Sequence, residues 1–223
     1  MTSDDLLAEQ IRYYRARALE YDDAYARVGQ YDRGRDANDA WRAELARLIA
    51  LFDEAPLGNE VLEMAAGTGF WTAKLLDRGA TVTAVDAAPE TLDVNRQRLG
   101  KQSASVAYIV ADLFHWKPTR RWDSCVGFFW LCKIPDDRLD AFLQAVATAV
   151  RPGGTVFSGD KTSAAGAAAG SELETRALED GRTFTIVDRP RSSNELRRAF
   201  AAVGIDVDVI VLGHRFSAVV GIR

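Results

Sequence analysis

The chain has 223 residues, with 28 Lys and Arg against 32 Asp and Glu, a formal net charge of -4 and 48% hydrophobic residues. One domain of this length buries about 70% of its unfolded surface, so it needs neither disulfides nor a metal to fold. The acidic balance argues against nucleic acid as the main partner. No apolar run reaches the roughly 18 residues of a membrane span, and the leading MTSDDLLAEQ carries acids where a signal peptide carries cations, so neither insertion nor secretion is expected.

In chain order, residues 5–52 read as helical, with apolar positions Leu6, Leu7, Ile11 and Tyr14, then Trp41, Leu45, Leu48 and Leu51, and a polar break from Gly29 to Asp39. Five of the six tyrosines, Tyr13, Tyr14, Tyr21, Tyr25 and Tyr31, fall in the first 31 residues among Arg12, Arg15, Arg17 and Arg27. After Pro56 and Gly58 the pattern changes to short apolar runs: VLEMA (61–65), TVTAVD (81–86), VAYIVAD (106–112), DSCVGFF (123–129) and TVFSGD (155–160). Helical stretches near 71–78, 89–99, 135–150 and 192–203 separate or follow them. This alternation predicts right-handed βαβ units, a Rossmann-like doubly wound α/β sheet that is mostly parallel. Cys125 and Cys132 lie in apolar sequence and read as small buried hydrophobes or weakly polar lining residues, in a reducing, cytoplasmic compartment.

The tail is different. A small-residue stretch (162–171) and a charged one lead to RTFTIVD (182–188), a helix, and two strand-like runs, IDVDVIVLG and RFSAVVGIR, close enough to form an antiparallel hairpin at a sheet edge.

Three motifs carry chemistry. In VLEMAAGTGFWT, Gly67 and Gly69 let the backbone turn and approach a ligand, and Thr72 is a candidate helix cap. The dinucleotide fingerprint fits poorly: its three small positions read Ala65, Gly67 and the bulky Phe70-Trp71. Glu63 would repel a pyrophosphate and attract an ammonium group. About 17 residues beyond Gly69, Asp86 ends a strand where a carboxylate can accept both hydroxyls of a ribose. Asp112, at the end of the third strand, can accept from an adenine amine, with Leu113 and Phe114 against the ring. All three acids fall at the C-terminal strand edge, where open α/β sheets bind ligands.

These motifs resemble those of the class I S-adenosylmethionine-dependent methyltransferases of the bacterial small-molecule type. VLEMAAGTGFWT looks like that family's first motif, TAVD its ribose acid, VADLF its adenine motif, WDSCVGFFWL its fourth strand and VRPGGTVFSGD its turn into the fifth. The resemblance covers roughly 59–223 and extends to YYRARALEYD near the N-terminus. It implies a single domain: a helical lid (1–58), a cofactor core (59–160), a variable substrate-side segment (161–183) and a C-terminal part of the sheet (184–223). It implies S-adenosylmethionine as cofactor, leaving as S-adenosylhomocysteine. The first-motif contacts would be Glu63, Ala65, Gly67, Thr68, Gly69 and Trp71. Asp86 and Ala87 would lie at the ribose, Asp112, Leu113 and Phe114 at the adenine, and Phe129 and Trp130 beside the sulfonium. Tyr14 and Arg17 would reach from the leading helix to the methionine end. Where many relatives read S-H-V-P this chain reads Cys132-Lys133-Ile134-Pro135, with no histidine there.

The implied reaction is in-line methyl transfer to an oxygen or nitrogen of a small-molecule acceptor, independent of metal, since no His, Cys and carboxylate set has ligand spacing. His115, Lys133, Asp160 and His214 are candidate bases, and an acceptor of low pKa needs none. The lack of an appended binding domain lowers RNA as an acceptor. Oligomeric state is not legible. The alternatives are a nicotinamide-dependent oxidoreductase, opposed by Glu63 and the terminal hairpin, and a non-catalytic binding module.

Overall fold

The computed structural model describes residues 2–163 and 173–223. The N-terminal region folds as α1 (Ser3–Ala16), a single turn α2 (Asp23–Ala26) and the long α3 (Arg35–Glu54). Thr2 and Asp5 close a reciprocal capping box at the start of α1, with the Thr2 hydroxyl accepting from Asp5 N at 3.2 Å. The core follows as β1 (Glu60–Met64), α4 (Phe70–Asp77), β2 (Thr81–Asp86), α5 (Pro89–Leu99), β3 (Val106–Val110), β4 (Trp122–Phe128), α6 (Asp136–Ala149) and β5 (Val150–Lys161). Then come β6 (Leu173–Ala177), β7 (Thr183–Val187), α7 (Ser193–Ala202), β8 (Asp206–Val211) and β9 (Phe216–Ile222).

Seven strands form one sheet in the order β3-β2-β1-β4-β5-β9-β8. β1 to β5 pair in parallel, while β9 runs antiparallel to both β5 and β8, so the terminal hairpin closes one edge as the sequence predicts. Each face is covered by helices. One core layer joins the sheet to α6 and α7 through Leu143, Val146, Leu196 and Phe200. The other joins it to α3, α4 and α5 through Leu48, Phe52, Leu75 and Leu92. The reversal of strand order lies between β1 and β4, and there the C-terminal strand ends open a crevice.

Several expectations are corrected. β3 ends at Val110, two residues before Asp112, and β4 ends at Phe128, so Asp112 and Phe129 sit in the following turns. β7 does not join the main sheet: it pairs antiparallel with β6, whose charged sequence LETRA gave no strand signal. Gly69, not Thr72, stands at the N-cap of α4, and the Thr72 hydroxyl is turned inward to Glu63 at 2.7 Å. The small-residue part of the expected substrate-side segment, 164–172, lies outside the described residues. Among the described residues no helix is long and apolar enough to cross a membrane.

Candidate functional site

Two non-glycine residues take left-handed backbone at adjacent strand ends: Ala65 after β1 (φ 53°) and Phe129 after β4 (φ 55°). Such conformations cost on the order of 1–3 kcal/mol and persist where surrounding structure imposes them. Here both turn the chain abruptly beside one cleft, lined also by Gln10, Tyr14, Tyr21, Gly67, Asp86 and Trp130. A Cβ on Gly67 would meet nothing nearer than 3.9 Å, so the glycine leaves open space on the cleft side. At Gly69 the reason is different, because a Cβ there would lie 2.6 Å from the buried Asn95.

Asp86 is fixed by two backbone donors, Gly67 N to Oδ2 (2.9 Å) and Ala88 N to Oδ1 (2.8 Å). Each oxygen retains a lone pair for a ligand hydroxyl. Burial pushes its carboxyl above the usual range, against those hydrogen bonds. Glu63 is 2% exposed and sits behind a smaller recess shared with Ala65, Thr68, Gly69, Trp71, Tyr21 and Tyr25. Burial pushes it up to about 8; Thr72 opposes the rise and nearby Asp86 adds to it. A cationic group entering the recess would reverse that preference for the neutral acid. Trp130, which borders this cleft, has a buried Nε1 without a hydrogen-bond partner among the described residues. The open cradle at Gly67, the free acceptor capacity of Asp86 and the orphaned indole donor together fit an adenosyl ligand with an ammonium tail.

The N-terminal segment lies across the cleft and is fastened on both sides. Arg15 makes a forked ion pair with Glu90 at the start of α5, at 2.7 and 3.0 Å. Asp22 accepts from the Thr68 hydroxyl at 2.7 Å and pairs with Arg98. Between these points Tyr14 and Tyr21 line the cleft, and the Tyr25 hydroxyl accepts from Trp71 Nε1 at 3.1 Å while its ring stacks on Phe70. Gln10 and Asp22 carry no signal in the sequence, while Tyr21 and Tyr25 belong to the tyrosine cluster there without being among the expected cofactor contacts; the signal available was the spacing of Tyr14, Tyr21 and Tyr25.

The structure separates some residues that the sequence grouped. Ala87 and Leu113 line the cleft, but the Asp112 carboxylate is turned to Phe114 N (3.0 Å) and His115 Nδ1 (2.7 Å). Phe114 packs against Trp130, one ring removed from the opening. Arg17 lines a second cavity of about 260 Å³ on the other side of Tyr14, Tyr21 and Phe129.

The candidate bases fare unevenly. Lys133 reaches the second cavity but is ion-paired with Asp188 at 2.8 Å; burial opposes its charge, and the carboxylate helps hold it above the ordinary lysine range. Asp160 is buried, accepts from Cys132 N at 3.2 Å, and is pushed up by burial. His115 is solvent-exposed, and the His214 backbone N–H is tied to Glu44 at 3.2 Å. Among the described residues no cluster of three or more His, Cys, Asp or Glu is placed to hold a metal.

Comparison with known proteins gives concordant findings. A family described as a methyltransferase domain matches residues 61–154. The chain is 32% identical over 115 residues to a malonyl-acyl-carrier-protein O-methyltransferase of Serratia marcescens, covering 50% of this chain and 41% of that protein. It is 34% identical over 131 residues to a ubiquinone biosynthesis O-methyltransferase of Xanthomonas campestris, covering 56% and 54%. The matches thus span about half or less of these curated relatives. Over full length it is 35% identical to DhpI solved with SAM and HEP, with a TM-score of 0.79 and 100% of each chain covered. A Burkholderia thailandensis 1,6-didemethyltoxoflavin-N1-methyltransferase, 19% identical over 100% of this chain and 91% of that one, shares the fold with a TM-score of 0.67.

Proposed function

Since this chain belongs to the class I S-adenosylmethionine-dependent methyltransferases, we propose that it methylates an oxygen or nitrogen of a small-molecule acceptor without a metal. The observation that carries the reading is the Asp86 carboxylate, oriented by Gly67 N and Ala88 N at the strand-order reversal, with acceptor capacity left for a ribose. S-adenosylmethionine when bound supplies a methyl group already activated by its positive sulfur. The protein's part is alignment and exclusion of water.

Glu63 holds the ammonium end in the recess behind Gly69. Ala65, Gly67, Thr68, Gly69 and Trp71 shape the turn around it. Asp86 takes the ribose, Ala87 and Leu113 border the nucleoside, and Asp112 and Phe114 form the outer rim. Phe129 and Trp130 stand where the sulfonium meets the acceptor, and aromatic faces favour that cation. Residues 1–58 act as the lid, with Tyr14 and Tyr21 over the cleft. Arg17 serves the acceptor side of Tyr21. No base is assigned, which suits an acceptor whose attacking atom is already deprotonated or readily becomes so. A reducing cytoplasm, with no nucleic acid as substrate, is part of the same proposal; two free, buried cysteines and the acidic balance support it.

Calorimetry with S-adenosylhomocysteine tests the assignment. Tight binding to the wild type and its loss in Asp86→Ala support it; binding of NADH instead, with none of S-adenosylhomocysteine, overturns it.

A further inference from the structure

The second cavity is unusual in its charge. Six cationic side chains line it, Arg17, Arg27, Arg33, Lys133, Lys161 and Arg176, and no carboxylate does so among the described residues. Two acids touch this group from outside the lining: Asp188 bridges Lys133 (2.8 Å) and Lys161 (2.6 Å), and Glu174 pairs with Arg176 (2.7 Å). Arg17, Arg27 and Arg33 form no ion pair with a carboxylate among the described residues, although Asp32 lies near enough to Arg27 to favour its charge.

Arg17 shows the deficit most clearly. It is 8% exposed, and its guanidinium lies against the rings of Tyr13, Tyr21 and Tyr31 at 5.7, 4.6 and 5.2 Å from their centroids. The rings hold the cation but accept few of its five N–H donors, and the one hydrogen bond its guanidinium makes among the described residues, to Tyr21 O, is long at 3.4 Å. Arg17 Nε and Arg176 Nε are both buried without a partner among the described residues. Buried, uncompensated guanidinium donors around an open volume are unfavourable in isolation and become favourable when an anion accepts from them. Tyr14, Tyr21 and Phe129 border both this cavity and the Asp86 cleft, so a molecule held here presents its near end to the cleft.

We propose that this cavity recognises the acceptor through an oxyanion, a carboxylate or phosphoryl group, held by Arg17, Arg33 and Arg176. This rests on the methyltransferase reading of the adjoining cleft. It restricts the acceptor to anionic small molecules and sets the cavity's cations apart from the cofactor contacts.

The test uses inorganic phosphate and acetate as probes of the two oxyanion types, titrated at constant ionic strength with chloride as the control. The proteins are wild type, Arg33→Met and Arg176→Met, each with and without saturating S-adenosylhomocysteine. At least one probe is expected to bind the wild type, and at least tenfold more weakly to each variant, while S-adenosylhomocysteine affinity stays within twofold throughout. The stronger probe identifies the oxyanion type. Equal binding by wild type and variants, or no effect of either probe beyond chloride while S-adenosylhomocysteine binds normally, overturns the oxyanion site and leaves the methyltransferase reading intact. Failure of the wild type to bind S-adenosylhomocysteine overturns the reading beneath it, and this inference with it.

Discussion

The Asp22 carboxylate accepts a 2.7 Å hydrogen bond from the Thr68 hydroxyl, joining the N-terminal segment to the turn after β1 across 46 residues of sequence. The contact is charge-assisted, a type worth about 1.5–3 kcal/mol, and Arg98 completes it from α5. Asp22→Ala should therefore weaken S-adenosylhomocysteine binding about tenfold, chiefly through faster release. Stopped-flow tryptophan fluorescence is a natural readout with Trp71 in the recess; an unchanged release rate means that the segment is not a lid.

Glu63 makes a prediction in pH. Its folded pKa, about 8, lies above the ordinary glutamate value, so between the two the folded chain holds a proton that the unfolded chain has lost. The contribution of this group to stability falls as pH rises toward 8 and levels off above it. Glu63→Gln keeps an acceptor for Thr72 and removes the buried charge. Its melting temperature should exceed that of the wild type slightly at pH 5 and clearly at pH 9, where about 1.4 kcal/mol per unit of pKa shift amounts to a few kcal/mol. The same variant should bind S-adenosylhomocysteine at least tenfold more weakly. A melting difference that is the same at both pH values contradicts the raised pKa.

Proton uptake and release give an independent check. An ammonium group beside Glu63 lowers its pKa, so ligand binding at pH 7 should release a fraction of a proton. Calorimetry in two buffers of different ionisation enthalpy measures this, and Glu63→Gln should abolish the difference.

Asp86 and Asp112 should differ sharply. The first faces the cleft; the second is engaged by Phe114 N and His115. Asp86→Asn should lose about a hundredfold in S-adenosylhomocysteine affinity and Asp112→Asn less than fivefold. Equal losses would restore Asp112 to direct contact with the adenine.

Activity, once an acceptor is in hand, should persist in excess EDTA. Loss on chelation that is reversed by magnesium contradicts the metal-independent reaction.

Much of the cofactor half was legible because it is written in contiguous sequence. The spacing of Gly67 and Gly69, the alternation of apolar strands and helices, and the acid closing TVTAVD are each local patterns, and they locate the crevice once the strands pair. What escaped was non-local or masked by composition. The cations of the second cavity come from the segments on either side of α2, the turn after β4, β5 and β6, and no window of sequence contains them together. β6 was obscured because LETRA alternates charge with small or apolar residues, and among the described residues it pairs only with β7. The inward turn of Thr72 depends on Glu63 being buried behind it, a packing fact that a capping rule does not contain. The resemblance puts Arg17 at the methionine end from its place in the leading helix, whereas in the fold its path past Tyr21 takes it to the second cavity.

The separation of the β6–β7 ribbon from the main sheet has an evolutionary consequence. Arg176 and Ile186, on the far wall of the cationic cavity, belong to this ribbon, whose strands exchange no ladder hydrogen bonds with the seven strands that bear Glu63 and Asp86. Substitutions there can change the acceptor's charge or size while the nucleoside pocket keeps its affinity. Selection can thus try new substrates on this scaffold one wall at a time.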